Sequence, residues 1–116
     1  MAAEADSNIA WVRASLALAI LAVLTEGARH GYALAQRISE LGLAPVRGGA
    51  LYPVLGRLES DGCVESLWQA GDGGPGKKVY SLTAAGRRRL DAERSAWHHF
   101  STALDGLLGA TTQEQR

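Results

Sequence analysis

The sequence predicts a mainly α-helical chain of the winged helix-turn-helix class, in which three helices and a β-hairpin wing precede a long C-terminal helix. Three patterns predict it. A helix over 48–62 is bounded by glycines and apolar on one face, a glycine-rich turn over 70–76 separates two short strands, and apolar residues after Thr83 return at heptad spacing. At 116 residues the chain fits one domain.

Charge distribution and cysteine content limit the classes of protein to which the chain can belong. Twelve basic residues balance twelve acidic ones, but between Arg29 and Arg89 nine Lys or Arg stand against five Asp or Glu, so the middle of the chain is basic. This distribution is compatible with phosphate contact without requiring it. The single cysteine, Cys63, excludes an intrachain disulfide and a cysteine-based zinc cluster.

Membrane and secretion signals are missing from the sequence. The longest apolar run, 14–24, falls short of the about 20 residues that a membrane span needs. The N-terminus has no signal-peptide pattern. We therefore expect a cytoplasmic protein without a membrane partner.

Patterns typical of enzymes and metal sites are also missing. The segment 71–78 fits a phosphate-binding loop until Lys78 occupies the position of the magnesium-binding serine or threonine, and a strand follows instead of a helix. Adjacent His98 and His99 would point about 100° apart on a helix, which does not suit chelation. With no nucleophile and base in a recognisable arrangement, we expect no enzyme activity, no cofactor and no metal.

The first helix is predicted to begin after a flexible N-terminus, 1–7, with Ser7 as its cap, and to end near Thr25. It is apolar on almost every side beyond Ala14, so almost all of its surface must be covered. A chain of this size has little material for that, which predicts that a second copy covers part of the helix. The residues of its apolar stripe predicted to lie at a dimer interface are Ile9, Val12 and Leu16.

The third helix is the candidate recognition helix. A second helix over 31–41 precedes it, and Pro45 in the connector prevents helical continuation between the two. Leucines at helical spacing form one face of the third helix. The opposite face carries few side chains and consists of Gly49, Pro53, Gly56, Arg57 and Ser60, with Tyr52 at its edge. Such a bare face with one guanidinium could approach another polyelectrolyte closely.

A β-hairpin follows the third helix. Its strands are predicted over 63–69 and 77–82, and they complete a winged-helix domain over 8–82. Lys77 and Lys78 stand beside the glycine-rich tip, where they are predicted to contact DNA phosphates or the minor groove.

The last helix is predicted to be a dimerisation helix over 83–108, capped by Thr83 and followed by a flexible tail, 109–116. Its apolar positions step by three and four residues, which favours pairing across a two-fold axis. These positions are Trp97, Phe100, Leu104 and Leu107, with Leu90 one heptad earlier. Two Trp97 rings near the axis would form either a slot for an aromatic ligand or plain packing, and the sequence leaves both open.

Motifs over roughly 16–108 resemble the PadR family of transcriptional regulators, in the short form with a single C-terminal helix. The motifs are His30-Gly31-Tyr32, Leu51-Tyr52-Pro53 with Arg57-Leu58-Glu59, and Lys78-Val79-Tyr80-Ser81-Leu82-Thr83-Ala84-Ala85-Gly86. The resemblance implies a homodimeric repressor that a small aromatic or hydrophobic effector releases from its operator. It also implies that Tyr32, Tyr52, Pro53 and Arg57 face DNA and that Trp97 lies at the dimer axis.

The sequence thus predicts a regulator that binds double-stranded DNA at a palindromic operator. The residues predicted to contact DNA are Arg29, Tyr32, Arg47, Tyr52, Pro53, Arg57, Ser60, Lys77 and Lys78, and those predicted to contact an effector are Trp11, Trp97 and Phe100. Two departures from the family pattern leave an alternative open. Gly56 replaces a larger polar residue, and Gly49-Ala50 replaces a hydroxyl-bearing helix start. The alternative is a ligand- or protein-binding adaptor with weak or lost DNA binding.

Overall fold

The computed structural model describes residues 2–43, 45–71 and 73–114, with side chains for 10–43, 45–71 and 73–109. Its elements are α1 (Ala2–Leu24), β1 (Arg29–His30), α2 (Gly31–Glu40), α3 (Gly48–Ser60), β2 (Val64–Gln69), β3 (Lys77–Leu82) and α4 (Ala84–Glu114). The predicted winged helix-turn-helix with a long C-terminal helix is confirmed. The strands predicted for the hairpin differ from β2 and β3 only at Cys63.

Both terminal helices are longer than predicted. Helix α1 begins at Ala2, so Ser7 lies inside it and is not its cap. The preceding residues are rich in alanine, which has the highest helix propensity, and the helix extends through them. At the other end, α4 continues past Leu108 to Glu114. Propagating an existing helix is much easier than starting one, so weaker helix formers at its end are included.

A three-stranded antiparallel sheet in the order β1-β3-β2 forms the wing and its base. In the hairpin, Val64 pairs with Leu82, Ser66 with Tyr80 and Trp68 with Lys78. The two-residue strand β1 was not predicted, because so short a segment shows no alternation. Its residues Arg29 and His30 pair with Tyr80 and Val79 of β3, which fixes the start of α2 against the wing.

Gly62 makes the turn from α3 into β2. Its φ of 75° lies in the left-handed region, which favours glycine. The N–H of Gly62 donates to the carbonyl of Glu59 and that of Cys63 to the carbonyl of Leu58, so the last carbonyls of α3 are satisfied. The recognition helix therefore ends at a fixed place relative to the wing.

The core lies where α1, α2, α3 and the base of the wing meet. Its fully buried side chains are Leu16, Ile20, Leu21, Leu34, Ile38, Leu51, Leu55, Leu58 and Val64. Leu16 and Leu90 are only 1% and 2% exposed within one chain, so they are core residues and not the dimer contacts that were predicted. Val12 is buried as well, at 7%. A single chain thus covers most of the apolar surface of α1 that was expected to need a second copy.

The first turn of α4 is fastened to the start of β2. As predicted, Thr83 caps the helix: its hydroxyl accepts from the N–H of Gly86 at 3.0 Å and donates to the carbonyl of Gly62 at 2.6 Å. A Cβ at Gly86 would overlap with the carbonyl oxygen of Cys63, so only glycine allows this approach. Arg89 adds an ion pair to Asp61 at 3.1 Å and one to Glu93 at 2.8 Å. The base of α4 is therefore held to the end of α3.

Candidate nucleic-acid interface

Helix α3 turns a nearly bare face outward. Leu51, Leu55 and Leu58 are buried, and the outer arc is exposed. At about 100° per residue, this arc runs from Tyr52 on the side of the wing to Arg57 on the side of α1, with small or polar residues between them. Those residues are Gly49, Pro53, Gly56 and Ser60. The face predicted from the sequence is the exposed face of the structure.

The N-terminus of α3 has no side-chain cap, as the sequence indicated. Arg47 is the N-cap residue, and its side chain makes no capping hydrogen bond. Because the first N–H groups of a helix lack intrahelical acceptors, this end offers donors and a partial positive charge to an anion. Close approach to the helix is also easy here, since Gly48 and Gly49 follow at once.

Tyr52 is held against the start of α2 by a close contact with Gly31. A Cβ at Gly31 would lie 2.5 Å from the Tyr52 hydroxyl oxygen, so the ring can keep its place only over glycine. His30 precedes Gly31 and caps α2, with Nδ1 accepting from the N–H of Ala33 at 3.3 Å. The phenol ring is 51% exposed and so presents one edge outward. The His30-Gly31-Tyr32 motif thus positions a side chain of the recognition helix.

A groove of about 470 Å³ separates Tyr52 from the wing. Its lining residues are His30, Gly31, Tyr32, Tyr52, Trp68, Gly76, Lys77, Lys78 and Tyr80. We call the three exposed aromatic residues of this groove, Tyr32, Tyr52 and Trp68, together with Lys78, the wing flank of α3. Trp68 is 73% exposed and was not among the predicted contacts. Strand alternation from Val64 and Ser66 would have placed it on the face turned toward α3.

The opposite side of α3 carries three arginines. Arg13 and Arg47 line a cavity of about 330 Å³, and Arg13 and Arg57 line another of about 260 Å³. We call Arg13, Arg47 and Arg57 the α1 flank of α3. All three are exposed, and none forms an ion pair with another side chain that the structure describes. Arg13 was not among the predicted contacts, because only the packing of α1 beside α3 brings it to this side of α3.

Arg29 differs from these arginines because it is already paired. Its guanidinium lies 3.0 Å from Glu26, and its side chain is 25% exposed. Arg37 binds the same carboxylate in a bidentate manner, at 2.9 and 3.1 Å. The hydrogen bond from Arg37 is the main cause that lowers the pKa of Glu26. The predicted role of Arg29 as a DNA contact therefore competes with a structural ion pair.

Lys78 is paired as well, whereas Lys77 is exposed. The Lys78 ammonium lies 3.4 Å from a carboxylate oxygen of Glu59 on α3 and 5.7 Å from the centre of the Tyr80 ring. The other Glu59 oxygen accepts a hydrogen bond from the Ser66 hydroxyl of β2. The Ser66 hydrogen bond is the largest cause that lowers the pKa of Glu59, with Lys78 contributing. The two lysines predicted as equal contacts thus differ in their surroundings.

A second exposed surface runs along α4. Trp97, Phe100, Leu104 and Leu107 are between 42% and 68% exposed, and the rings of Trp97 and Phe100 lie 5.7 Å apart. Trp11 on α1 is 69% exposed. We call the four α4 residues the heptad stripe. The side chain of Ile9, predicted to join this interface, lies outside the part of the chain whose side chains are described.

Other kinds of site find no support among the described residues. They contain no group of three or more His, Cys, Asp or Glu side chains that could hold a metal ion. No described helix combines the length and apolar character needed to cross a bilayer.

The structure combines an exposed face of α3 with few long side chains, an uncapped N-terminus of the same helix, a wing and a row of arginines. This is the arrangement of a winged-helix DNA-binding protein. Residues 20–92 match the Transcriptional regulator PadR-like family. This chain belongs to that family, whose members are DNA-binding regulators and not enzymes.

Individual relatives agree with this family assignment. The transcriptional regulator Rv3488 of Mycobacterium tuberculosis is 40% identical over 94 residues, which cover 81% of this chain and 86% of that protein. A PadR family transcriptional regulator from Eggerthella lenta superposes with a TM-score of 0.78 at 31% identity, covering 90% of this chain and 91% of the other. A PadR-like regulator from Bacillus cereus gives 0.73 at 28% identity, covering 84% and 94%.

Proposed function

We propose that this chain is a homodimeric transcriptional repressor acting in the cytoplasm, with α3 in the major groove of an operator and the wing against the adjacent backbone. The observation that carries the proposal is the outer face of α3, which is bare at its centre and flanked by arginines on one side and aromatic rings on the other. A face without long side chains lets the helix backbone approach the base edges and phosphates closely.

The proposed DNA contacts follow from exposure and charge. Tyr52, Pro53, Arg57 and Ser60 belong to the outer face of α3, and Tyr32 lies beside it across the groove. Arg57 is the long cationic side chain of this face, and arginine binds guanine edges in the major groove in a bidentate manner. Arg47 and Lys77 are exposed cations suited to phosphates.

Dimerisation is proposed to occur through the heptad stripe of α4. A row of four large apolar side chains on a helix that leaves the domain exposes a patch that monomeric proteins rarely keep. Pairing across a two-fold axis would cover it and would present two α3 helices to DNA. The operator is then a palindrome with half-sites about one helical turn, or about 34 Å, apart.

An effector site is proposed where the two stripes meet. Trp97 and Phe100 already contact each other within one chain, with their rings tilted by 42°. Two such pairs across the axis would offer flat apolar walls to a small aromatic or hydrophobic molecule, and the exposed Trp11 of α1 is included in this proposed site. Binding there would change how the two α4 helices pack and so release the repressor from its operator.

A DNA-binding titration tests the proposed function. Fluorescence anisotropy with duplexes from the DNA upstream of its gene should show a saturable, salt-sensitive complex that competitor duplex of unrelated sequence does not remove. Trp97→Ala should weaken the dimer in sedimentation while the melting temperature changes little, because Trp97 is half exposed. A dimer mass independent of concentration for W97A would argue against the stripe.

The competing function is the ligand- or protein-binding adaptor. The glycines of the outer face favour it, because Gly49 and Gly56 provide no side chain for base contacts. Absence of binding to any duplex, at low salt and with a folded dimer, would select the adaptor over the repressor.

A further inference from the structure

Glu59 lies in the last turn of α3, and its side chain contacts both strands of the hairpin. One carboxylate oxygen accepts from the Ser66 hydroxyl of β2, and the other lies 3.4 Å from the Lys78 ammonium of β3. Ser66 and Lys78 are on the same face of the hairpin, since Ser66 pairs with Tyr80 and Trp68 with Lys78. The carboxylate therefore links α3 to the wing at two points.

We infer that Glu59 is a positioning residue that withholds Lys78 from DNA, so that Lys77 alone supplies the phosphate contact of the wing. This inference rests on the proposed DNA-binding function and defines which wing cation acts in it. The fixed negative charge beside Lys78 makes the pair neutral, and a neutral pair releases no counterions from a phosphate.

The surroundings of the pair explain why it holds although it is partly exposed. An isolated surface ion pair is worth little, because ordering two long side chains costs entropy and water screens the charges. Here Ser66 orients the carboxylate, and the Tyr80 ring lies 5.7 Å from the ammonium, so Lys78 has two partners besides water. A phosphate approaching Lys78 would also meet the like charge of Glu59.

Holding Lys78 beside Glu59 affects the selectivity of DNA binding more than its affinity. A lysine free to reach any backbone phosphate strengthens binding to every sequence alike, which lowers the ratio of operator to non-specific affinity. Holding Lys78 on the protein keeps that ratio high. It also ties the orientation of the wing to α3, so that the wing contacts the backbone only when α3 is seated in the groove.

The test measures how affinity for a non-operator duplex depends on salt. Glu59→Gln keeps a side-chain oxygen for Ser66 but removes the charge, so the slope of log K against log salt should steepen by about 0.9. Lys77→Ala should flatten the wild-type slope by about the same amount. In the double variant E59Q/K78A the slope should return to the wild-type value.

Glu65→Gln is the matched control. It removes one carboxylate charge from the hairpin that Glu59 contacts, but at a position that pairs with Ser81 and so lies on the opposite face from Lys78. Its slope should equal that of the wild type. A slope that steepens equally for E59Q and E65Q would show an effect of net charge and would overturn the role of Glu59.

Labelling of the free protein provides a readout that does not depend on DNA. With trace acetic anhydride, Lys78 should acetylate several-fold more slowly than Lys77 in the wild type, and E59Q should bring the two rates together. If the wild type binds no duplex, both the proposed function and this inference fail. If it binds and E59Q leaves the slope unchanged, or E59Q/K78A keeps the steeper slope of E59Q, the inference alone is overturned.

Discussion

The two flanks of α3 present cations in opposite ways. On the α1 flank, Arg13, Arg47 and Arg57 are exposed and form no ion pair with a described side chain. On the wing flank, Lys78 is neutralised by Glu59, and the exposed surface is aromatic. The difference shows that a chain with zero net charge can still direct positive potential to one side of its recognition helix.

Because of this asymmetry, we expect the two flanks of α3 to contribute to DNA binding in different ways. The α1 flank, together with Lys77 of the wing, should supply the salt-dependent part of the binding free energy, because free cationic groups displace counterions from phosphates. The wing flank should supply fit, since Tyr52 and Trp68 offer flat surfaces at fixed positions.

Removing Arg57 should have the largest effect. Arg57→Ala should lower operator affinity by about 1–3 kcal/mol, since one long cationic contact on a bare face is lost. Anisotropy titration at fixed salt measures it. Arg13→Ala serves as the comparison, because Arg13 lines the same cavity but belongs to α1. An unchanged isotherm for folded R57A would place the recognition of bases elsewhere.

Displacing Tyr52 should have a somewhat smaller effect, of about 1 kcal/mol, the typical net worth of one polar contact. Gly31→Ala puts a methyl group where the Tyr52 ring now lies, while alanine favours the helix more than glycine does. Affinity should therefore fall without loss of thermal stability. In a Tyr52→Ala background the added methyl should cost nothing further, and an equal loss in both backgrounds would rule out this contact as the cause.

Comparing Arg47 with Arg29 tests directly whether the unpaired arginine, and not the paired one, contacts a DNA phosphate. Arg47→Ala should flatten the salt dependence of DNA binding by about 0.9 in slope, as expected for one phosphate contact. Arg29→Ala should leave the slope nearly unchanged, because its guanidinium is bound to Glu26. Binding isotherms at four or five salt concentrations give both slopes. A loss of slope in R29A equal to that in R47A would mean that the ion pair opens on DNA.

Low pH should weaken the contacts that Glu59 makes with Ser66 and Lys78. We expect this effect to be smaller than those of the substitutions above. Ser66 and Lys78 hold the pKa of Glu59 below its ordinary 4.5, so the stabilisation is present above that value and is lost as the pH falls through the lower folded-state pKa. Glu59→Gln should therefore melt with a shallower decline below pH 4.5 than the wild type, as followed by circular dichroism. Parallel acid declines for both proteins would contradict a restrained carboxylate.

Sequence periodicity predicted the parts of this site that are local. The outer face of α3 follows from leucines at helical spacing, and the hairpin follows from a glycine-rich turn between two short strands. Alternation along β2 would also have identified Trp68. These features depend on neighbours within a few residues, so their pattern is visible in the chain.

Features that depend on contacts between distant elements were not predicted. Leu16 and Leu90 fit a dimer stripe by spacing, but packing of α1 and α4 within one chain buries them. Lys78 was predicted as a phosphate contact, yet Glu59 on α3 neutralises it. No spacing rule shows which carboxylate a lysine will meet when the partner comes from another element.

The fastening of α4 to the end of α3 has a mechanical consequence. Contacts of Thr83, Gly86 and Arg89 hold the first turns of α4 against the end of α3. The rest of α4 is therefore a rigid lever arm attached to the winged domain at this point. From Leu90 to Leu107 the lever is about 25 Å long at the rise of an α-helix. In the proposed dimer, a tilt of the outer part of α4 would therefore rotate the whole winged domain.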